Sequence, residues 1–154
     1  MTYLPPFDHF EETNANHTIR VAASLQHFST KIQKIIDTIS PVEIVRLGGA
    51  GNKCNNLVVG KVDSYVTPSG LNHWDICGPE SLVKGMGGYC TDFNQEKLSY
   101  PIDGYFYING LIFAKNPPMY KLIERRMGLR ETVNLAEFLS VCIFISEECG
   151  KIIR

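Results

Sequence analysis

Apolar residues fall along this chain in short blocks whose period changes from one block to the next, and the changes mark out elements. Thr18 to Ala23 is β-rich, whereas Ser29 to Ile39 sets Ile32, Ile35, Ile36 and Ile39 at helical spacing before Ser40-Pro41 ends the run. A strand followed by an amphipathic helix is predicted. Glu43 to Leu47 reads as a second strand running into glycines, Asn52 to Val59 as a helix closed by Gly60, and Val62 to Val66 as a third strand stopped by Thr67-Pro68-Ser69-Gly70. After Asp75 a helix is predicted from Ile76 to Met86. Gly87-Gly88 ends it, because glycine readily takes the left-handed conformation that terminates helices. Tyr89 to Phe93 and Phe106 to Phe113 supply further strands. Pro117-Pro118 opens a last helix through Met127, proline being tolerated in the first turn, and Gly128 closes it.

Strands and helices alternating at this spacing predict an α/β layer with helices packed on a sheet, the strand order being left open. Three segments are predicted: an irregular, proline-bearing lead-in over 1–17, the α/β body over 18–128, and an amphipathic helix over 129–154. The chain reads as if it begins in mid-protein. Its 154 residues suffice for one compact domain with a sizeable core, and 44% hydrophobic with 20% charged content is ordinary for a globular chain. A formal charge of −1 argues against a broad basic field, so no nucleic-acid partner is expected, while a local pocket for a small anion remains open. The five cysteines form no CxxC pair and prolines interrupt the first six residues, which points to a reducing cytoplasm with no leader. The longest apolar run, Phe138 to Ile145, is far short of the ~20 residues that span a bilayer, and no membrane partner is expected.

Candidate chemistry gathers in two places. Gly48, Gly49 and Gly51 lie between a strand and a helix, where backbone N–H groups can face an anion, and Lys53 adds a positive charge; the same glycines could serve turn geometry alone. Asp75 sits at a helix start, where it could cap the helix or hold a hard cation such as Mg²⁺ through oxygen. Trp74 beside it is expected to wall the site. Ser24 and His27, just past the first strand, could reach the same cleft or be ordinary surface groups. Cys77 and Cys90 read as small buried side chains, since no histidine partner is indicated.

The run Gly48 to Lys53, the Gly60-Lys61 turn, Tyr65-Val66, Trp74-Asp75 with Pro79-Glu80, and Gly87-Gly88 with Thr91-Asp92 together resemble the C-terminal half of the 3'(2'),5'-bisphosphate nucleotidases. These belong to the inositol monophosphatase superfamily of magnesium-dependent, lithium-sensitive phosphatases. The resemblance covers roughly Ile19 to Met127. It implies a mixed sheet flanked by helices, corresponding to the C-terminal lobe of a layered sandwich, and hydrolysis of adenosine 3',5'-bisphosphate to AMP and phosphate when the enzyme is complete. It further implies that Asp75 is a ligand of Mg²⁺, that Gly49 and Lys53 contact the nucleotide, and that Ser24 and His27, with serine where the family has threonine, contact its phosphate or ribose. Hydrolysis of inositol phosphates is the rival activity. A non-catalytic lobe that binds nucleotide is the alternative of a different class.

The family's other metal carboxylates, in an EE and a DPxDGT segment of its N-terminal half, have no counterpart in the matched region. No catalytic residue is therefore assigned. Tyr100-Pro101-Ile102-Asp103-Gly104-Tyr105 lacks the first aspartate and the threonine, and Glu147-Glu148 falls in a helical pattern. Val133 to Arg154, with Leu135, Phe138, Leu139, Cys142, Ile145 and Cys149 at helical spacing, resembles the family's first helix. A chain spanning the junction of two tandem copies, or a truncated product, is expected, with a complementary N-terminal lobe or a second copy as partner.

Overall fold

A computed structural model describes residues 18–68, 71–100, 110–129 and Ile143. Nine elements follow in chain order: β1 (Arg20–Ser24), α1 (Thr30–Ile39), β2 (Glu43–Leu47), α2 (Ala50–Val58), β3 (Ser64–Thr67), α3 (His73–Gly85), β4 (Tyr89–Asp92), β5 (Leu111–Ala114) and α4 (Pro117–Arg126). The strands form one mixed sheet in the order β2-β1-β3-β5-β4; β1 is parallel to both β2 and β3, and β5 is antiparallel to β3 and β4. The predicted α/β layering holds. The lead-in and, apart from Leu129 and Ile143, the C-terminal segment lie outside the described residues, as does Phe106 to Asn109 of the last predicted strand.

Each helix forms where its sequence offers both an apolar stripe and a stop. In α1, Ile32, Ile36 and Ile39 recur at helical spacing and are buried, each stabilising the fold by about 1.5–3 kcal/mol relative to exposure. The Ser29 hydroxyl accepts from the Ile32 N–H, and Ser40 ends the helix in the left-handed region at φ 50°. In α4, the Asn116 side chain accepts from the Met119 N–H at 2.9 Å, and proline occupies the first turn, where no N–H is needed. Arg126 at the other end donates to the Ile39 carbonyl at 2.9 Å, fastening α4 to the end of α1.

The helices cover both faces of the sheet. Ala22, Tyr65 and Phe113 pack with Cys54, Leu57 and Val58 of α2 and with Ile76 and Val83 of α3. Val21, Val66 and Ile112 pack on the opposite face with Ile39 of α1 and Met119 and Ile123 of α4, while Ala23 meets Ile32 and Ile36. Strands covered on both faces read as continuous apolar runs, which is why β1 and β3 lack a clean alternation. Tyr65 and Phe113, opposite each other across β3 and β5, stack with centroids 5.8 Å apart. At Gly88 an added Cβ would lie 2.8 Å from the Val83 carbonyl oxygen and 2.9 Å from that of Ala114, so glycine is what lets α3 turn closely into β4.

At the amino-terminal ends of β1 and β3, Asp63 is buried and accepts from Arg20 Nε at 3.0 Å and Lys115 Nζ at 2.7 Å. The Arg20 backbone N–H donates to the same carboxylate at 2.9 Å. Burial opposes the charge of Asp63, but these hydrogen bonds outweigh it and hold its pKa below the ordinary aspartate value.

Candidate functional site

The connections of β1 create a crevice. Its neighbours β2 and β3 are reached through helices on opposite faces, α1 packing beside Ala23 and α2 beside Ala22, so the chain leaves β1 and β2 in opposite directions at their carboxyl ends. Open α/β sheets bind ligands at such a switch in strand order. Here the Leu25 N–H donates to the Leu47 carbonyl at 3.1 Å, carrying the β1–β2 ladder one residue into the first loop and bringing the two loops out side by side. A cleft of about 780 Å³ opens there, lined by residues of the 24–29 and 48–53 segments, by Tyr65, Thr67 and Pro68 of β3 and its exit, and by Leu71 and Asp75.

Five residues singled out from the sequence, Ser24, His27, Gly49, Lys53 and Asp75, all line this cleft. Ser24 is the last residue of β1, and its hydroxyl accepts from the His27 backbone N–H at 3.2 Å, folding the segment so that His27 stands exposed beside it. Gly49, at φ 70° and ψ 141°, turns the chain from β2 into α2 through a backbone conformation that L side chains rarely adopt. Gly48 and Gly51 have no positive φ, and an added Cβ at either meets nothing within 4 Å. Only Gly49 of the three is required by backbone geometry. α2 begins at Ala50, two residues before the predicted Asn52, because the turn is completed at Gly49.

Lys53 is 4% exposed although it lies at the cleft. Its ammonium donates to the Gly49 carbonyl at 3.1 Å and stands 5.1 Å from the Tyr65 ring centroid. No carboxylate pairs with it among the described residues. Desolvation lowers its pKa, the nearby Cys54 thiol acting weakly the other way. Burial of Tyr65, aided by Cys54 and opposed by a hydrogen bond with Thr67, raises the phenol pKa; Asp75 adds to the rise. A buried cation at the cleft, with a backbone carbonyl as its hydrogen-bond partner and no carboxylate paired with it among the described residues, is suited to an anion.

Asp75 is the only carboxylate among the described residues lining the cleft. It does not begin its helix, as the sequence suggested. Asn72 is the cap, α3 starts at His73, and Asp75 occupies the third helical position with Oδ2 accepting from the Asn72 backbone N–H at 3.0 Å. This reciprocal capping geometry leaves Oδ1 without a hydrogen bond among the described residues. The capping and metal-binding readings are thus compatible, one oxygen for each.

Two expectations are corrected. Trp74 does not wall the cleft; it is 65% exposed and absent from the lining, because a helix rotates it about 100° from Asp75. Cys77 is exposed rather than buried, whereas Cys54 and Cys90 are buried, and desolvation pushes the Cys54 thiol up to about 12 and that of Cys90 higher, leaving neither a ready nucleophile. The cleft also holds residues that the sequence did not single out: Gln26, Phe28, Ser29, Thr67 and Leu71. Phe28 lies in the loop between β1 and the α1 cap, where no hydrophobic period operates. Its adjacency to His27 was the available signal.

Among the described residues no helix is long and apolar enough to cross a membrane. The 3'(2'),5'-bisphosphate nucleotidase 1 of Dictyostelium discoideum is 36% identical over 84 residues, 54% of this chain and 27% of that protein. The human enzyme of the same name is 33% identical over 84 residues, with the same shares of each chain. A mouse Golgi-resident adenosine 3',5'-bisphosphate 3'-phosphatase is 29% identical over 90 residues, 54% of this chain and 25% of that one. The aligned segment thus spans about a quarter of the length of these relatives. Staphylococcal IMPase-II superposes with a TM-score of 0.64 at 16% identity, covering 88% of this chain and 50% of that one, and the 2'AMP-bound SaIMPase-II with 0.61 at 15% identity, covering 79% and 44%. Residues 8–133 match the inositol monophosphatase family, a span that takes in all nine elements and the whole lining of the cleft. The chain belongs to that family.

Proposed function

We propose that this chain is the nucleotide-binding lobe of a magnesium-dependent 3'(2'),5'-bisphosphate nucleotidase, which hydrolyses adenosine 3',5'-bisphosphate to AMP and phosphate once the remaining half of the enzyme is supplied. The observation that carries the reading is the buried ammonium of Lys53 at a glycine turn, with no carboxylate partner among the described residues and on the same cleft as Asp75. Relatives named as bisphosphate nucleotidases at 33–36% identity support the substrate over an inositol phosphate.

In this reading Lys53 and the backbone at Gly49 hold a phosphate of the nucleotide, while the Ser24 hydroxyl and the His27 ring contact phosphate or ribose. Asp75 offers Oδ1 to the metal and keeps Oδ2 on its own helix end. One carboxylate suits Mg²⁺, which takes few protein ligands and completes its shell with water and phosphate oxygens. A divalent cation held by Asp75 would supply positive charge to the phosphate and lower the pKa of a water. Tyr65, buried beside Lys53, excludes water from that side and strengthens the charge interaction. Lithium inhibition and a cytoplasmic location belong to the same proposal, as does a complementary lobe or second copy as partner.

With Asp75 the only cleft carboxylate among the described residues, the isolated chain is a weak or inactive catalyst that still binds nucleotide. Phosphate release from adenosine 3',5'-bisphosphate with and without Mg²⁺, together with nucleotide binding, tests this. Binding without turnover is the expected result. Mg²⁺-dependent turnover abolished by Asp75→Ala would instead make the chain an autonomous enzyme, and absence of both binding and turnover would overturn the nucleotide reading.

A further inference from the structure

Three rings line the cleft among the described residues: His27, Tyr65 beside the Lys53 ammonium, and Phe28. Phe28 follows His27 directly, is half-buried, and packs on the cluster of Ala23, Ile32 and Ile36. The Arg46 guanidinium carbon stands 3.9 Å from its ring centroid. The exposed guanidinium covers one face of the ring and attracts it by about 0.5–1 kcal/mol, which biases the ring's position; Arg46 does not line the cleft, so the side of Phe28 that does is not the one it covers.

Arg46 belongs to β2, whereas Asp75 belongs to α3, which follows β3 and whose carboxylate acts on Tyr65. Since β1 lies between β2 and β3, Phe28 and Asp75 mark opposite sides of the cleft. A ligand with its phosphate at Lys53 and Asp75 extends its far end towards Phe28. The cleft volume of about 780 Å³ is in the range that encloses a ligand of nucleotide size rather than a lone phosphate.

We infer that Phe28, held by Arg46, is the nucleobase platform of this cleft and the residue that favours nucleoside bisphosphates over ligands lacking a base. The inference rests on the nucleotide reading above. Stacking on an aromatic ring tolerates any base, because every base has a π-face. The platform therefore selects for the presence of a base and only weakly for its identity.

The test titrates the full chain calorimetrically with two ligands, adenosine 3',5'-bisphosphate and the base-free methyl riboside bisphosphate, with Ca²⁺ replacing Mg²⁺ so that turnover does not consume them. Wild type is expected to bind the nucleotide more tightly. Phe28→Leu, which keeps apolar volume without a ring, is expected to weaken the nucleotide about tenfold and leave the base-free ligand unchanged, and Phe28→Tyr to restore wild-type discrimination. Equal weakening of both ligands by Phe28→Leu would overturn the inference, since Phe28 would then only shape the wall. Equal wild-type affinities would overturn it too while leaving the phosphate site intact, and binding of neither ligand would overturn the nucleotide reading itself.

Discussion

The Lys53 ammonium lies 5.1 Å from the centre of the Tyr65 ring and is almost wholly enclosed, with desolvation depressing its pKa. A lysine whose folded pKa is lowered costs stability at every pH where it must be charged, and that cost is relieved as pH rises from the folded value to the unfolded one. Lys53→Met is accordingly expected to raise the melting temperature at neutral pH. The same change should weaken binding of bisphosphate by about 2 kcal/mol, roughly thirtyfold. In wild type, ligand affinity should fall with rising pH through the lowered Lys53 pKa. Melting curves and titrations across pH 6–10 check both halves, and a variant less stable and equally competent in binding would contradict them.

Asp75 divides its oxygens between the helix end and the cleft. Asp75→Asn retains an acceptor for the Asn72 N–H and should melt close to wild type, whereas Asp75→Ala should lose about 1 kcal/mol. Both should lose the metal contribution to nucleotide affinity. Denaturant titration paired with Mg²⁺-dependent binding separates capping from metal chemistry, because only the second property should fail in the asparagine variant.

Gly49 and Gly48 are neighbours with opposite tolerance. At φ 70° and ψ 141° an alanine is strained, and Gly49→Ala is expected to destabilise the chain by about 1–3 kcal/mol. It should also weaken anion binding, since the Gly49 carbonyl holds the Lys53 ammonium at 3.1 Å. Gly48→Ala meets open space and should fold and bind normally. Unfolding midpoints that failed to distinguish the two would rule out the strain argument.

Asp63 sits between two cations that are only partly covered, so removing its charge should be costly but less so than in a sealed interior. Asp63→Asn is expected to destabilise by on the order of 3 kcal/mol at neutral pH. The folded pKa lies below the unfolded one, so this contribution is fully present above the unfolded aspartate value of ~3.9. It disappears as pH falls through the folded value. The gap between wild type and variant in urea unfolding should therefore narrow as pH falls below about 4.

Most of the fold was legible because its helices announce both a stripe and a stop: Ile32, Ile36 and Ile39 before Ser40-Pro41, or Met119 and Ile123 behind Pro117-Pro118. That Ser24, Gly49, Lys53 and Asp75 line one cleft was legible because each lies where a strand ends or in the first turn of a helix. Positions one step off a helical stripe were not. Cys77 is exposed beside buried Ile76, and Trp74 points away from the cleft beside Asp75, since neighbours in a helix face directions about 100° apart. The burial of charged Glu80 is not legible locally either: Lys84 and Tyr100 partner it, and the Tyr100 contact joins residues twenty apart in sequence. Strand order depended on long-range pairing such as Tyr65 with Phe113, which no local pattern encodes.

The two ends of β1 and β3 carry different burdens. Arg20, Asp63 and Lys115 clamp the end where these strands start, and the opening between the loops occupies the end where they finish. Robustness and recognition are thereby decoupled along a single strand's length. A sequence can drift at Ser24, Phe28 or Lys53 and acquire a new ligand while the clamp keeps the sheet assembled, which makes this lobe a tolerant chassis for changing specificity.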